Sequence, residues 1–166
     1  MANGVVFFLD LNGIVGESVK VGYEEQCEIK SWNWGASHGG TLHTGSGGGQ
    51  TGLVSGGDIS ISKNVDVATP DLAQAITTGR IFPSGTITSV KDAGSQNPLA
   101  FHVITLSSVK LTSYATGVEG DDITEYLTLH FRGMQIEYRK QANAGSGEGS
   151  STMKYNFATG AQSLTG

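Results

Sequence analysis

The chain is short of charge. Asp, Glu, Lys and Arg make up 15% of its 166 residues, against about 25% in an ordinary soluble domain. Burying charge is costly, so a sparsely charged chain can set much of its outer surface against a partner or copies of itself. A small β-protein with a Ser/Thr-rich surface would have the same composition. The net charge is −5 with no basic block, so a nucleic-acid partner is not expected. A single cysteine, Cys27, excludes an internal disulfide and fits synthesis in a reducing compartment. It reads as a small apolar packing residue. No apolar run approaches the ~18 residues of a membrane span, so membrane insertion is not expected. The opening MANGVVFFLDLNG lacks a basic segment and is interrupted by Asp10. It reads as a first strand, not a signal peptide.

Catalytic signatures are also missing. GSGGGQTG at Gly45–Gly52 has no Lys-Ser/Thr to hold phosphate and Mg²⁺. It has no Asp to bind Ca²⁺ in a β-roll turn. There is no G-x-S-x-G elbow. His38 and His43 lie in a Gly-rich loop without a nearby carboxylate or thiol, so no zinc site is expected. Glu24–Glu25 and Asp121–Asp122 are sequence neighbours; on a strand they would point to opposite sides, so they read as solvated turn charges. No enzymatic activity and no cofactor are expected.

What is present is glycine and β-pattern. Glycine, at 25 residues, is about twice its usual share. The stretch from Ser31 to Gly57 holds two tryptophans, no charged residue, and ten glycines among the 23 residues from Gly35 to Gly57. A loop longer than about 15 residues in a compact domain is usually functional or disordered. This one carries Leu42, Leu53 and Val54, so it reads as a segment that orders against a partner. A second polar loop is expected over Gln141–Thr152.

Strands are predicted over Val5–Leu11, Cys27–Gly35, Ile59–Val65, Gly85–Lys91, Pro98–Tyr114, Ile123–Arg139 and Met153–Phe157. The two long ones change phase. Ile104 and Leu106 have one parity, Val109 and Leu111 the other; Leu127, Leu129 and Phe131 are followed by Met134, Ile136 and Tyr138. A β-bulge absorbs such a shift, which places bulges near Ser107–Ser108 and Arg132–Gly133. One helix is expected over Pro70–Thr78, capped by Thr69, ended by Gly79, with Leu72, Ala75 and Ile76 as its apolar stripe. The fold class is mainly β. A single domain over 1–166 forms a small closed barrel of long coiled antiparallel strands, with a short α-helix, an extended loop over about 36–56 and a flexible loop over about 141–152.

Trp32 and Trp34 share one strand face. Such a pair can form a sugar platform, but a core ladder is the commoner outcome, and both are assigned to the core. Lys30 shares their face and is expected at the strand's solvent end, its stem along the barrel.

Several segments together carry a resemblance. They are GES at Gly16–Ser18, W-x-W-G at Trp32–Gly35, the Gly-rich loop from Gly39, TPDL at Thr69–Leu72 and KYNF at Lys154–Phe157. In this order and spacing the whole chain resembles the Hcp family, the haemolysin-coregulated proteins of bacterial type VI secretion. The resemblance implies a small barrel with one helix, akin to phage tail-tube proteins. It implies homohexameric rings that stack into an inner tube and are driven out by a contracting sheath. It also implies effectors held in the ring lumen and a VgrG-type spike at the tip. Localisation would be the bacterial cytoplasm during assembly, then the extracellular space or a target cell, without a cleaved signal peptide.

On that reading the residues gain roles. If Trp32 and Trp34 face the core, Ser31 and Asn33 face away, and with Ile29 they are expected to line the lumen. Thr41, Leu42 and His43 are expected to contact a neighbouring subunit or ring. The alternative from another class is a monomeric carbohydrate- or ligand-binding barrel using Trp32 and Trp34. A phage tail-tube protein would share the physics but lack the GES and KYNF context.

Overall fold

The computed structural model describes residues 4–39, 54–91, 98–140 and 149–165. The elements are β1 (Val5–Leu11), β2 (Cys27–Ile29), β3 (Ser31–Asn33), β4 (Ala36–His38), β5 (Val54–Gly56), β6 (Ile59–Asn64), α1 (Thr69–Thr78), β7 (Ile81–Lys91), β8 (Leu99–Glu119), β9 (Asp122–Arg139) and β10 (Ser150–Asn156). The main sheet runs β2-β1-β7-β8-β9-β6-β3, with β10 also on β9. All its ladders are antiparallel.

The two ends of that order, β2 and β3, are consecutive in the chain. Cys27–Ile29 pairs with β1, and Ser31–Asn33 pairs with β6. Lys30 joins them, its N–H donating to the Ser62 carbonyl at 2.7 Å. One stretch therefore serves both edges and bends the sheet into a nearly closed barrel, as the fold class anticipated. The single strand predicted over Cys27–Gly35 is thus two, separated at Lys30.

This break corrects one expectation. Ile29 does not share the outward face of Ser31 and Asn33. It is 4% exposed and belongs to the barrel core with Cys27. The interruption at Lys30 shifts the phase, so Cys27 and Ile29 point inward before it, and Trp32 and Trp34 pack against the core after it.

The core is a set of cross-strand rows. Cys27, Leu9, Ile87, Ile104, Ile136 and Met153 are successive register partners across six strands; all but Met153 pack in or against the interior. Helix α1 adds Leu72 and Ala75, both buried, with Ile76 against them. Gly79, at φ 65°, ends the helix by donating to the Ala75 carbonyl. Its start differs from expectation. Ala68 occupies the N-cap position without a side-chain cap. Thr69 instead accepts the Asp66 N–H (3.0 Å), while Asp66 Oδ1 accepts the Ala68 N–H (2.9 Å).

The phase changes in the long strands are real, but they do not shift the ladder there. Leu106 opposes Met134 and Val109 opposes Phe131, so both strands flip over the same interval and stay in step. β7 joins them: Phe82 and Gly85, also three apart, oppose Val109 and Leu106. Ser108 takes a positive φ of 50° at this crease. True register shifts fall instead at Ser89/Val90 and at Leu111/Ser113.

β8 and β10 also extend beyond prediction, to Glu119 and back to Ser150. The latter takes Ser150–Thr152 out of the expected loop, whose residues 141–148 lie outside the described ones.

Candidate functional site

Both ends of the segment predicted as an extended loop over about 36–56 are strands. Ala36–His38 pairs with Val54–Gly56 as a separate two-stranded ribbon. Gly57 N–H donates to the Gly35 carbonyl at 2.9 Å, closing its root. Trp34 sits at this root, and its Nε1–H donates to the Gly57 carbonyl at 2.9 Å. Phe157 packs edge-on against Trp34, Phe131 and Tyr155, with centroid distances of 6.3, 5.7 and 4.9 Å. A side chain at position 56 would collide with the Phe157 ring, so Gly56 is where the ribbon lies flat on an aromatic hub.

The sequence-assigned residues fall as follows. Trp32 and Trp34 are half-buried against the core. Trp32 stacks on His102 at 5.5 Å, the rings 7° from parallel, and burial lowers the His102 pKa. Each indole therefore has an internal partner. Ser31 and Asn33 are exposed on β3, and Ser31 Oγ shares a hydrogen bond with Ser62 Oγ at 2.7 Å. Ile29 is in the core. Thr41, Leu42 and His43 lie outside the described residues.

A charged cluster escaped the sequence reading. Lys63 and Glu125 are register partners on β6 and β9, and both side chains are 0% exposed. Lys63 Nζ donates to Glu125 Oε2 (2.7 Å), Asp66 Oδ1 (2.8 Å) and the Asn64 carbonyl (2.8 Å). Tyr114 donates to Glu125 Oε1 at 2.7 Å. Burial opposes charge on Lys63, but hydrogen bonds to Asp66 and Glu125 outweigh it and raise its pKa. Burial likewise works against the Glu125 carboxylate, yet hydrogen bonds from Lys63 and Tyr114 hold its pKa below the ordinary value. Both are ions in the fold. Burial pushes the Tyr114 hydroxyl up to about 12, with Glu125 adding to the shift. Burial, then Asp66, likewise push the neighbouring Cys27 thiol up to about 12, which keeps it protonated. The signal was alternation. Ile59, Ile61 and Lys63 share one parity, as do Glu125, Leu127 and Leu129, so opposite charges stood at inward positions of two strands.

The quoted motifs resolve into joints. Glu17 of GES accepts the Val67 N–H through Oε1 at 2.9 Å, tying the β1–β2 connection to the approach to α1. TPDL opens α1 and supplies the buried Leu72. KYNF ends in the hub ring Phe157. Among the described residues no group of three His, Cys, Asp or Glu could hold a metal ion, and no helix is long and apolar enough to cross a membrane.

Comparison with known proteins agrees with this geometry. The family model described as "Type VI secretion system effector, Hcp" matches residues 8–138, more than half of the chain. Protein hcp1 of Pseudomonas aeruginosa is 34% identical over 102 residues, which cover 60% of this chain. The match spans 62% of that relative's length, less than two thirds. A structure described as a type six secretion system protein superposes with a TM-score of 0.85 at 23% identity, covering 95% of this chain and 99% of the other. Hcp1 from Salmonella typhimurium superposes at 0.75 with 25% identity, covering 94% and 97%. With a nearly closed barrel and, among the described residues, one helix, this chain belongs to the Hcp family of type VI secretion proteins.

Proposed function

We propose that the chain is a structural subunit of the type VI inner tube. Six copies close into a ring, rings stack, and the assembly is exported with small effectors held in its lumen. The observation that carries this reading is the ribbon. The β4–β5 ribbon is separate from the barrel sheet, and the sequence between its strands, 39–53, holds no Asp, Glu, Lys or Arg, which suits contact with a neighbouring copy. Thr41, Leu42 and His43 in that stretch are the proposed contacts between subunits or rings. A ring needs two different patches of one subunit to meet on successive neighbours. Exposed apolar residues support such a surface. Val118 and Ile123 are cross-strand partners, and Val65 N–H donates to the Ile123 carbonyl; the three are 74, 48 and 39% exposed. Ser31 and Asn33 are the proposed lumen-facing residues, as small polar side chains on an exposed strand face. Sheath, VgrG-type spike and effectors are the proposed partners, and the function needs no catalytic step.

Native mass spectrometry with negative-stain imaging tests the reading. The expected result is a species of six 17.3 kDa chains that appears as a ring with a central hole. A monomer at all concentrations would overturn it. In the ring, Asn33→Glu should leave assembly intact and reduce effector retention, measured by co-purification; unchanged retention would remove Asn33 from the lumen.

A further inference from the structure

The edge of β9 changes partner at the crease. Residues 124–129 pair with β6, and residues 133–139 pair with β10. Past β10 the chain does not leave. Phe157 N–H donates to the Arg132 carbonyl at 2.8 Å. Buried Asn156 accepts the N–H groups of Ala158 (3.0 Å) and Thr159 (3.1 Å) on its Oδ1. The chain turns through Gly160, at φ 71°, and Ala161 returns a carbonyl to the Asn156 N–H at 2.9 Å. Leu164 then reaches the crease, where Ser107 Oγ–H donates to its carbonyl at 2.8 Å.

Gly133 makes room for that carbonyl. A Cβ there would collide with the Leu164 oxygen and come within 2.5 Å of Ser107 Oγ. Gly133 is not among the glycines at positive φ, so its backbone conformation does not call for glycine; the space above it does. Ser107 and Gly133 are themselves register partners. They form a slot on adjacent strands, one side offering a hydroxyl donor and the other open space.

We propose that residues 158–165 are a strap docked in this slot through the Leu164 carbonyl, and that the docked strap sets the position of the β4–β5 ribbon through Phe157. Phe157 is the residue from which the strap departs, and its ring is the surface on which Gly56 lies. Phe157 N–H is held by the Arg132 carbonyl and its ring by the hub rings, while the turn that follows it, residues 158–161, is closed on Asn156. With the strap released, the turn after Phe157 is no longer anchored at its far end, and the ribbon's floor loosens. The strap has no ladder pairing and few buried groups, which makes it a low-stability unit that opens without the barrel. The assignment stands whether or not the chain forms rings.

Hydrogen exchange by mass spectrometry on the full chain tests this, comparing wild type, Gly133→Ala and Ser107→Ala in the same assembly state. Loss of one hydrogen-bonded docking point should speed exchange over residues 158–165 by about tenfold in Gly133→Ala and by a few-fold in Ser107→Ala. Residues 36–38 and 54–56 should follow in the same order, while Leu9 and Ile87 stay at wild-type rates. Three results would overturn the proposal: strap amides already exchanging as free chain in wild type, strap exchange unchanged in the variants, or a freed strap with an unchanged ribbon. If Gly133→Ala does not fold, Ser107→Ala decides by the same criteria. Native mass reports the ring separately, so its failure is not confused with failure of the strap.

Discussion

Two joints fasten an appendage to this barrel by opposite chemistry. Where helix α1 begins, the joint is ionic: Lys63, Glu125 and Asp66, with Tyr114 donating to the second Glu125 oxygen. Where the ribbon begins, it is aromatic: Trp34 and Phe131 around Phe157. The ionic joint is directional and depends on both partners being present, since an unpaired buried ion is far more costly than no ion. The aromatic joint rests on contact area and shape, so it should weaken gradually and ignore pH.

The largest effect should come from breaking the ionic joint on one side. Lys63→Met leaves Glu125 buried without its cation and should cost about 3–5 kcal/mol in denaturant unfolding. Lys63→Met with Glu125→Leu should recover most of that loss, because two apolar side chains can fill the same interior positions. Equal losses in the single and double variants would show that the pair is not the source. At the aromatic joint, Phe157→Ala should cost less, about 2–3 kcal/mol, since the ring is only half-buried.

The smallest effect is the pH response, and it separates the joints. The Glu125 pKa is lower in the fold than its ordinary 4.5. Its contribution is therefore complete above that value and lost as pH falls through the folded one. The Lys63 pKa is raised above 10.5, so its contribution is complete below that value and lost only as pH rises past the folded one. Between pH 7 and pH 3 the wild type should lose more stability than the double variant. Phe157→Ala should keep the wild-type acid slope, read from urea midpoints at each pH.

Alternation made much of this fold readable. The strands, the helix stripe of Leu72, Ala75 and Ile76, and even the phase changes at 107–108 and 132–133 were visible, because burial imposes a period on sequence. The same period exposed Lys63 and Glu125, which looked like ordinary strand charges until their register was known. Ile29 was misplaced because one residue, Lys30, breaks the count, and nothing local in CEIKSWN marks a change of neighbour. The hub was not readable, since Phe157, Phe131 and Trp34 come from three distant segments and meet only through topology. Nor was the Leu164 contact, which depends on a space at Gly133 and not on any property of Leu164.

The split stretch at Lys30 also bears on how the barrel forms. Each half contributes a ladder only three residues long, one to β1 and one to β6. The β3–β6 ladder joins segments about thirty residues apart, while β6–β9 and β1–β7 join segments far more distant. Such non-local pairing is slow, because loop closure must precede the contacts that reward it. The two seam ladders are the shortest in the main sheet, so the wall is closed there by the fewest backbone pairings. Until it zips, β1 and β6 are open edges able to recruit the wrong strand.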